Sequence, residues 1–473
     1  MKILTARLIL EAAFLIFPLS LIGQTAPHPH GPQTEKRKQS MPAKVLRLED
    51  LERMALDNNP TLKQAEARTG AAQGRLQQAG LYPNPTIGYA GDEISPGPII
   101  RGGEHGFFVD QTIVLGGKLG KNREVFAQAL SQAEAEVEAQ RIRVLNNVRL
   151  LYYAALGAQR RVEMRQKLAG LAGEAVKTSL GLFNVGAADK PDVLEIEVEA
   201  QQARLAVTTA ENEQLRIWQQ LAALLGVLDL PLTPLAGDFD ESIPVLESDA
   251  TLQEILRASP LLKAARAGVQ RAQAAVNFER SLRIPDLQAR GGLRYNRELL
   301  ERGGVPVGWE GFADVGIQIP LFNRNQGNIL AAKSEGLFAE QEVRRLEMVI
   351  RSRFSSFFNA YQTSRRVVET YKNEVIPRAD QAYRLYLAKF KEMAAAYPQA
   401  LIAQRTLFQA SVDYVAAVEN LWRAVVPLQG YLMTEGLEAP RAFEERVSAE
   451  ERLRPDDIFP VSELEESGRN ERK

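Results

Sequence analysis

The chain has 473 residues, with 58 Lys and Arg against 59 Asp and Glu and a formal net charge of −1. So even a balance gives no electrostatic case for a nucleic-acid partner. The absence of cysteine excludes disulfides, thiolate metal sites and a cysteine nucleophile.

At the N-terminus, Lys2 and Arg7 precede an apolar run from Leu8 to Gly23. This is the charge–apolar–polar layout of a secretory signal. Residues 1–26 are read as that signal, with cleavage in Gly23–Ala26 and an uncleaved anchor as the alternative. No later stretch reaches the ~20 apolar residues of a spanning helix. An exported chain of this kind is either soluble or crosses a membrane as strands.

Residues 27–45 form a flexible Pro-rich lead with a basic cluster at Lys36-Arg37-Lys38. A short helix is predicted over Leu46–Leu56 and a second over Thr61–Leu81. Pro83-Asn84-Pro85 stops the second, because a residue before proline avoids helical geometry. Strands are predicted at Thr86–Asp92 and Gly106–Leu115. From Gly120 to Asn184 there is no proline, and Phe126, Leu130, Ala133, Val137, Val144, Val148, Leu151 and Ala155 keep the three-then-four spacing of a helix seam. Such a helix, some 65 residues long, extends on the order of 95 Å. Val185-Gly186-Ala187 breaks it, and a return helix follows from Pro191 to Leu225.

After a linker at 227–249 the plan repeats. Helices are predicted near 250–258 and 261–283, strands near 286–297 and 309–319, and long helices near 326–391 and 398–434. Pro377 predicts a kink. Asn59-Pro60 is answered by Ser259-Pro260, Tyr82-Pro83-Asn84 by Ile284-Pro285-Asp286, Tyr152-Tyr153 by Phe357-Phe358, and Phe183…Pro191 by Phe390…Pro398. The offset of roughly 200 residues far exceeds the 20–50 of solenoid repeats. Residues 46–226 and 250–435 are therefore two copies of one unit. The Glu- and Arg-rich residues 436–473 are read as a disordered tail.

The second-copy strands separate two faces. Leu287, Ala289, Gly291, Leu293 and Tyr295 alternate with Gln288, Arg290, Gly292, Arg294 and Asn296. Trp309, Gly311, Ala313, Val315, Ile317 and Ile319 alternate with Glu310, Phe312, Asp314, Gly316 and Gln318, Phe312 being the exception on the polar side. In the first copy Phe107, Val109 and Ile113 oppose Phe108, Asp110 and Thr112. Apolar-out, polar-in segments of about ten residues with aromatics at their ends suit a transmembrane barrel. A soluble sheet with one buried face is the alternative. In a bilayer, the four strands of one chain cannot close a barrel, since the smallest use about eight and an open edge leaves unpaired backbone groups in lipid. Several chains must then share one barrel, with Arg290, Arg294, Glu310 and Asp314 facing an aqueous bore and Leu287, Leu293, Tyr295, Trp309, Val315 and Ile317 facing lipid.

Three segments carry a family likeness: Leu81-Tyr82-Pro83-Asn84-Pro85, Asp110 through Lys118 (DQTIVLGGK), and Ile319 through Gly327 (IPLFNRNQG). With them and the duplicated element order, residues 45–435 resemble the TolC family of outer-membrane efflux ducts, particularly its heavy-metal, CzcC-like branch. The resemblance implies a mainly α fold with a small transmembrane β portion. It implies a homotrimer with a twelve-stranded β-barrel in the outer membrane and an α-helical barrel crossing the periplasm. Partners would be a periplasmic adaptor (membrane fusion) protein and an inner-membrane resistance–nodulation–division pump, with heavy-metal cations as cargo. Drug efflux or type I secretion on the same fold, and an exported coiled-coil scaffold without transport, are the alternatives. Carried over by position, Phe183, Asn184, Val185, Gly186, Ala187, Phe390 and Ala394 form the adaptor-docking tip, and Asp192 and Glu195 match the acidic ring that narrows the closed tip in relatives. The second copy departs from that ring, with Gln399 and Ile402 at the equivalent places.

Catalytic chemistry is not visible. His28 and His30 lie in the lead and are read as a plain surface pair, with a loose metal contact as the alternative; His105, in a predicted external loop, has no ligand partner at metal-site spacing. No phosphate-binding glycine loop, nucleophile elbow or paired-carboxylate site stands out. No cofactor is expected, and energy for transport must come from a partner.

Overall fold

A computed structural model describes residues 45–94, 103–186, 189–237, 239–240, 243–299, 305–391 and 397–438. The predicted export signal, most of the lead, His28, His30, Ala187, Ala394 and residues 439–473 lie outside the described residues.

The duplicated plan is present element by element. The first copy runs α1 (Leu48–Asn58), α2 (Pro60–Ala79), β1 (Thr86–Asp92), β2 (Glu104–Ile113), α3 (Lys118–Asn184) and α4 (Lys190–Leu225). The second runs α5 (Ser248–Ala258), α6 (Pro260–Ser281), β3 (Leu287–Leu299), β4 (Pro306–Ile317), α7 (Gln326–Thr370), α8 (Ile376–Lys391) and α9 (Tyr397–Gln429). Both short-helix junctions are built on X-Pro. Asn59 is fully buried; its Oδ1 accepts from Thr61 N at 2.9 Å and its Nδ2 donates to the Leu224 carbonyl at 2.8 Å. Pro60 follows at the first helical position, where its missing N–H costs nothing. Ser259-Pro260 repeats the proline placement between α5 and α6, without a side-chain cap from Ser259.

Two boundaries differ from expectation for local reasons. Strand β4 stops at Ile317 and begins at Pro306, so Ile319 lies in the following loop, where Pro320 cannot continue a ladder. His105 lies inside β2, not in an external loop. The predicted interruption at Pro377 takes the form of a π-helical turn, Tyr371–Val375, between α7 and α8. Pro377 lacks the N–H that would bond Asn373, and the extra residue of a π-turn accommodates that gap.

The four strands form one antiparallel sheet in the order β1-β2-β3-β4, with the outer edges of β1 and β4 unpaired among the described residues. No helix packs on either face of this sheet among the described residues. The apolar core lies instead in the helical part, where Leu51, Val144, Val148, Leu221, Leu225, Leu262, Leu421 and Val425 are buried at the meeting of both copies. Toward the α3–α4 turn most packed residues are small: Ala172, Ala175, Ser179 and Ala200 are buried, with Val193 as the exception. Small side chains let the two backbones approach, which is how a hairpin this long stays paired.

Residues 227–249 act as a strap held by side chains of both copies. Trp218 Nε1 donates to the Leu230 carbonyl at 2.9 Å, Tyr152 Oη to Ala236 at 2.8 Å, Trp422 Nε1 to Phe239 at 2.9 Å and Tyr361 Oη to Pro244 at 3.1 Å. Asp240 also pairs with Lys372 of the π-turn at 3.4 Å and accepts from Tyr414. The start of the predicted tail is likewise fixed: the Gly436 carbonyl accepts from Thr61 Oγ1 at 3.1 Å and Gln140 Nε2 at 3.3 Å.

Candidate functional site

The strand register assembles two chemically distinct faces. On one, Tyr295 pairs with Trp309, Leu293 with Gly311, Gly291 with Ala313, Ala289 with Val315 and Leu287 with Ile317. Phe107, Val109 and Ile113 continue this face across β2, and Ile87 and Tyr89 across β1. It is bare: Ile87 is 75% exposed, Trp309 71% and Val315 70%. Tyr295 and Trp309 meet edge-to-face at 5.6 Å, and Tyr89 bonds His105, so aromatic groups gather at the end remote from the helices.

The other face is layered. Passing outward from the helices, Thr86, Asp110, Arg290 and Asp314 share one row. Gly88, Phe108, Gly292 and Phe312 form the next. Ala90, Gly106, Arg294 and Glu310 follow, and Asp92, Glu104 and Asn296 complete the outer end. Arg294 contacts Glu104, lies 3.4 Å from Glu310 and 3.9 Å from Asp92. Arg290 instead stacks on Phe108, 4.0 Å from the ring centroid. The four charged residues singled out in the sequence thus share one face. Phe312, the apolar exception on that face, accounts for itself as an aromatic surface 5.8 Å from Arg294.

Where sheet meets helices, Asp286 Oδ1 accepts from Leu115 N at 2.9 Å and from Lys118 Nζ at 2.7 Å. It ties the second-copy Ile-Pro-Asp to the first-copy Gly-Gly-Lys turn. Gly116 and Gly117 there have φ of 71° and 67°, in the left-handed region that favours glycine. Phe322 is 91% exposed beside this junction.

At the opposite end, α3 closes on Gly186 with φ 72°. Val185 is 77% and Phe183 39% exposed, and Lys190 Nζ stands 5.8 Å over the Phe183 ring. Asp192 receives Asp189 N at 3.3 Å as part of a capping box that starts α4. Asp192 and Glu195 are both exposed. Phe390 lies in the last turn of α8. Spacing alone did not reveal the neighbouring ion pair of Glu199 and Arg405, with Arg405 Nε donating at 2.9 Å; it joins helices far apart in sequence.

One cleft of about 290 Å³ lies among α3, α4 and α9, lined by Leu150, Glu213, Arg216, Glu419 and Arg423. Its guanidinium groups are engaged: Arg216 with Glu213 at 2.6 Å, and Arg423 with Glu419. Among the described residues no group of three or more His, Cys, Asp or Glu is placed to hold a metal ion, and no helix is long and apolar enough to cross a membrane.

The chain matches the outer membrane efflux protein family over residues 51–227 and 251–432. It is 27% identical over 387 residues to the cobalt-zinc-cadmium resistance protein CzcC of Cupriavidus metallidurans, covering 82% of this chain and 90% of that one. It is 24% identical to the nickel-cobalt-cadmium resistance protein NccC of Alcaligenes xylosoxydans xylosoxydans, over 58% of this chain and 60% of that one. The crystal structure of CusC superposes with a TM-score of 0.66 at 18% identity, covering 85% of this chain and 97% of that one.

Proposed function

Since this chain belongs to the outer membrane efflux protein family, we propose that three copies pool their strands into the outer-membrane exit duct of a tripartite heavy-metal efflux system. The observation that carries the proposal is the uncovered sheet with two unlike faces and two unpaired edges. In lipid each unpaired backbone group along β1 and β4 costs several kcal/mol. Joining β1 of one copy to β4 of the next removes both edges, and three sheets of four strands give twelve. The dimensions fit. From Leu287 to Tyr295 a strand rises about 27 Å at ~3.4 Å per residue. Tilted ~40°, that is about 21 Å, close to the ~25 Å apolar band of such barrels.

The polar face then lines a water-filled bore and the helical hairpins form a periplasmic tunnel. Transport is passive. The exposed Phe183, Val185 and Gly186 form the surface that meets a periplasmic adaptor, together with Phe390 and Ala394 of the second hairpin. Asp192 and Glu195 supply acidic groups at the entrance. A resistance–nodulation–division pump in the inner membrane supplies energy and chooses cargo. The metal-resistance relatives support heavy-metal cations as that cargo.

Deleting the gene tests the reading. The deletion strain should lose tolerance to zinc, cobalt and cadmium, and plasmid-borne protein should restore it. Outer-membrane fractions should contain the protein as a heat-modifiable trimer. A strain sensitised to drugs alone would overturn the metal cargo, and a soluble elongated rod would overturn the duct.

A further inference from the structure

We propose that Phe108 sets the charge selectivity of the bore by holding Arg290 away from Asp110 and Asp314. The inference rests on the reading that the polar sheet face lines that bore. Asp110, Arg290 and Asp314 are direct cross-strand neighbours, a placement in which opposite charges ordinarily pair. They do not pair here. The Arg290 guanidinium lies over Phe108 at 4.0 Å, and its Nε, like that of Arg294, is buried without a hydrogen-bond partner. Neither aspartate has an ion pair or hydrogen bond among the described residues. One layer outward, on the same strand and face, Arg294 is surrounded by carboxylates.

The difference lies in the ring. Phe108 folds over Gly88, where a Cβ would come within 2.5 Å of its Cζ. The glycine gives the ring a seat against the strand, leaving its outer face for a guanidinium to stack on. Two carboxylates per chain thereby stand unpaired at one level, six in a trimer against three guanidinium groups held on the rings, so the level keeps a net negative charge. A ring of that kind concentrates cations and repels anions in a pore. The duct would favour positively charged cargo through its own wall, independently of the pump.

Purified trimer in planar bilayers under a KCl gradient tests this through the reversal potential. The measurement belongs at low salt, because the Debye length falls from about 30 Å at 0.01 M to about 3 Å at 1 M. The wild type should prefer cations, and the Asp110→Asn, Asp314→Asn double variant should lose that preference. Phe108→Leu changes no charge, yet should shift the reversal potential in the same direction, because Arg290 is released onto the aspartates. Phe108→Tyr, which keeps a ring, should retain it. Assembly is checked by heat-modifiability, with Phe108→Ile as the substitute if Phe108→Leu does not form trimers. A wild-type reversal potential in the leucine variant overturns the inference, as does a wild-type channel without cation preference, and both leave the duct standing. Failure of the wild type to form any channel removes the duct reading as well.

Discussion

Asp286 joins the two copies through a single oxygen. That oxygen takes both the Leu115 N–H and the Lys118 ammonium, and the lysine side chain is only 9% exposed. Removing the carboxylate strands a buried cation, at a cost of about 3 kcal/mol. Asp286→Ala should lower the temperature at which trimers dissociate on semi-native gels, and Asp286→Asn, which can still accept from Leu115, should lower it less. The position was legible as part of the repeated Ile-Pro-Asp signature. Its partner was not, because a lysine after two glycines carries no mark of what it will touch. Tyr153 gives a second residue-scale expectation. It stacks on Trp422 at 3.8 Å, and burial, reinforced by neighbouring Tyr152, pushes its hydroxyl up to about 12. The unfolded phenol ionises near 10, so this contribution is complete below pH 10 and is lost as pH rises toward 12. Thermal midpoints measured across that window should fall in the wild type and fall less in Tyr153→Phe. Tyr414, raised by burial and then by its bond to Asp240, keeps some alkaline sensitivity in the variant.

At the scale of elements, the helix seam placed α3 and the period-two alternation placed the strands, because each has one face in a different solvent, while proline breaks and the repeat placed the other helices. What those patterns could not supply was the partner across a non-local contact. The strap at 227–249 reads as a Pro-rich linker, yet it is fixed by indole and phenol groups from four helices. The proline at 377 announces a break but not that it takes the form of a π-turn, which places Lys372 3.4 Å from Asp240 of the strap. The α3–α4 turn separates stability from recognition. Gly186 has open space around it and a φ of 72°, so Gly186→Ala costs only the left-handed backbone penalty, about 1–2 kcal/mol. That cost is confined to an exposed turn. Trimer yield should therefore be unchanged in both Gly186→Ala and Gly186→Trp. The indole, projecting from the proposed docking surface, should nevertheless abolish metal tolerance, whereas alanine should reduce it little. Wild-type tolerance with tryptophan present would remove this turn from adaptor docking.

For the whole molecule, the decisive property is that the sheet cannot complete itself. Its outer strands differ in length, β1 with 7 residues and β4 with 12, so the register in which one copy meets the next is set by more than end-to-end matching. Because side-chain direction alternates along a strand, only pairings that keep apolar residues on one face are admissible. In the proposed trimer Ile87 then lies opposite an apolar-face residue of β4 in the neighbouring copy. The chain has no cysteine, which makes disulfide trapping free of background. Three double variants follow: Ile87→Cys combined in turn with Gly311→Cys, Ala313→Cys and Val315→Cys. Oxidation in intact outer membranes should give one of them a covalent ladder ending at the trimer on denaturing gels, and reduction should collapse it. Ile87→Cys with Phe312→Cys, which lies on the opposite face, should give none. A ladder running past three would change the subunit count. No ladder from any spacing would mean that the edges do not meet, and the sheet would need another way to satisfy its backbone.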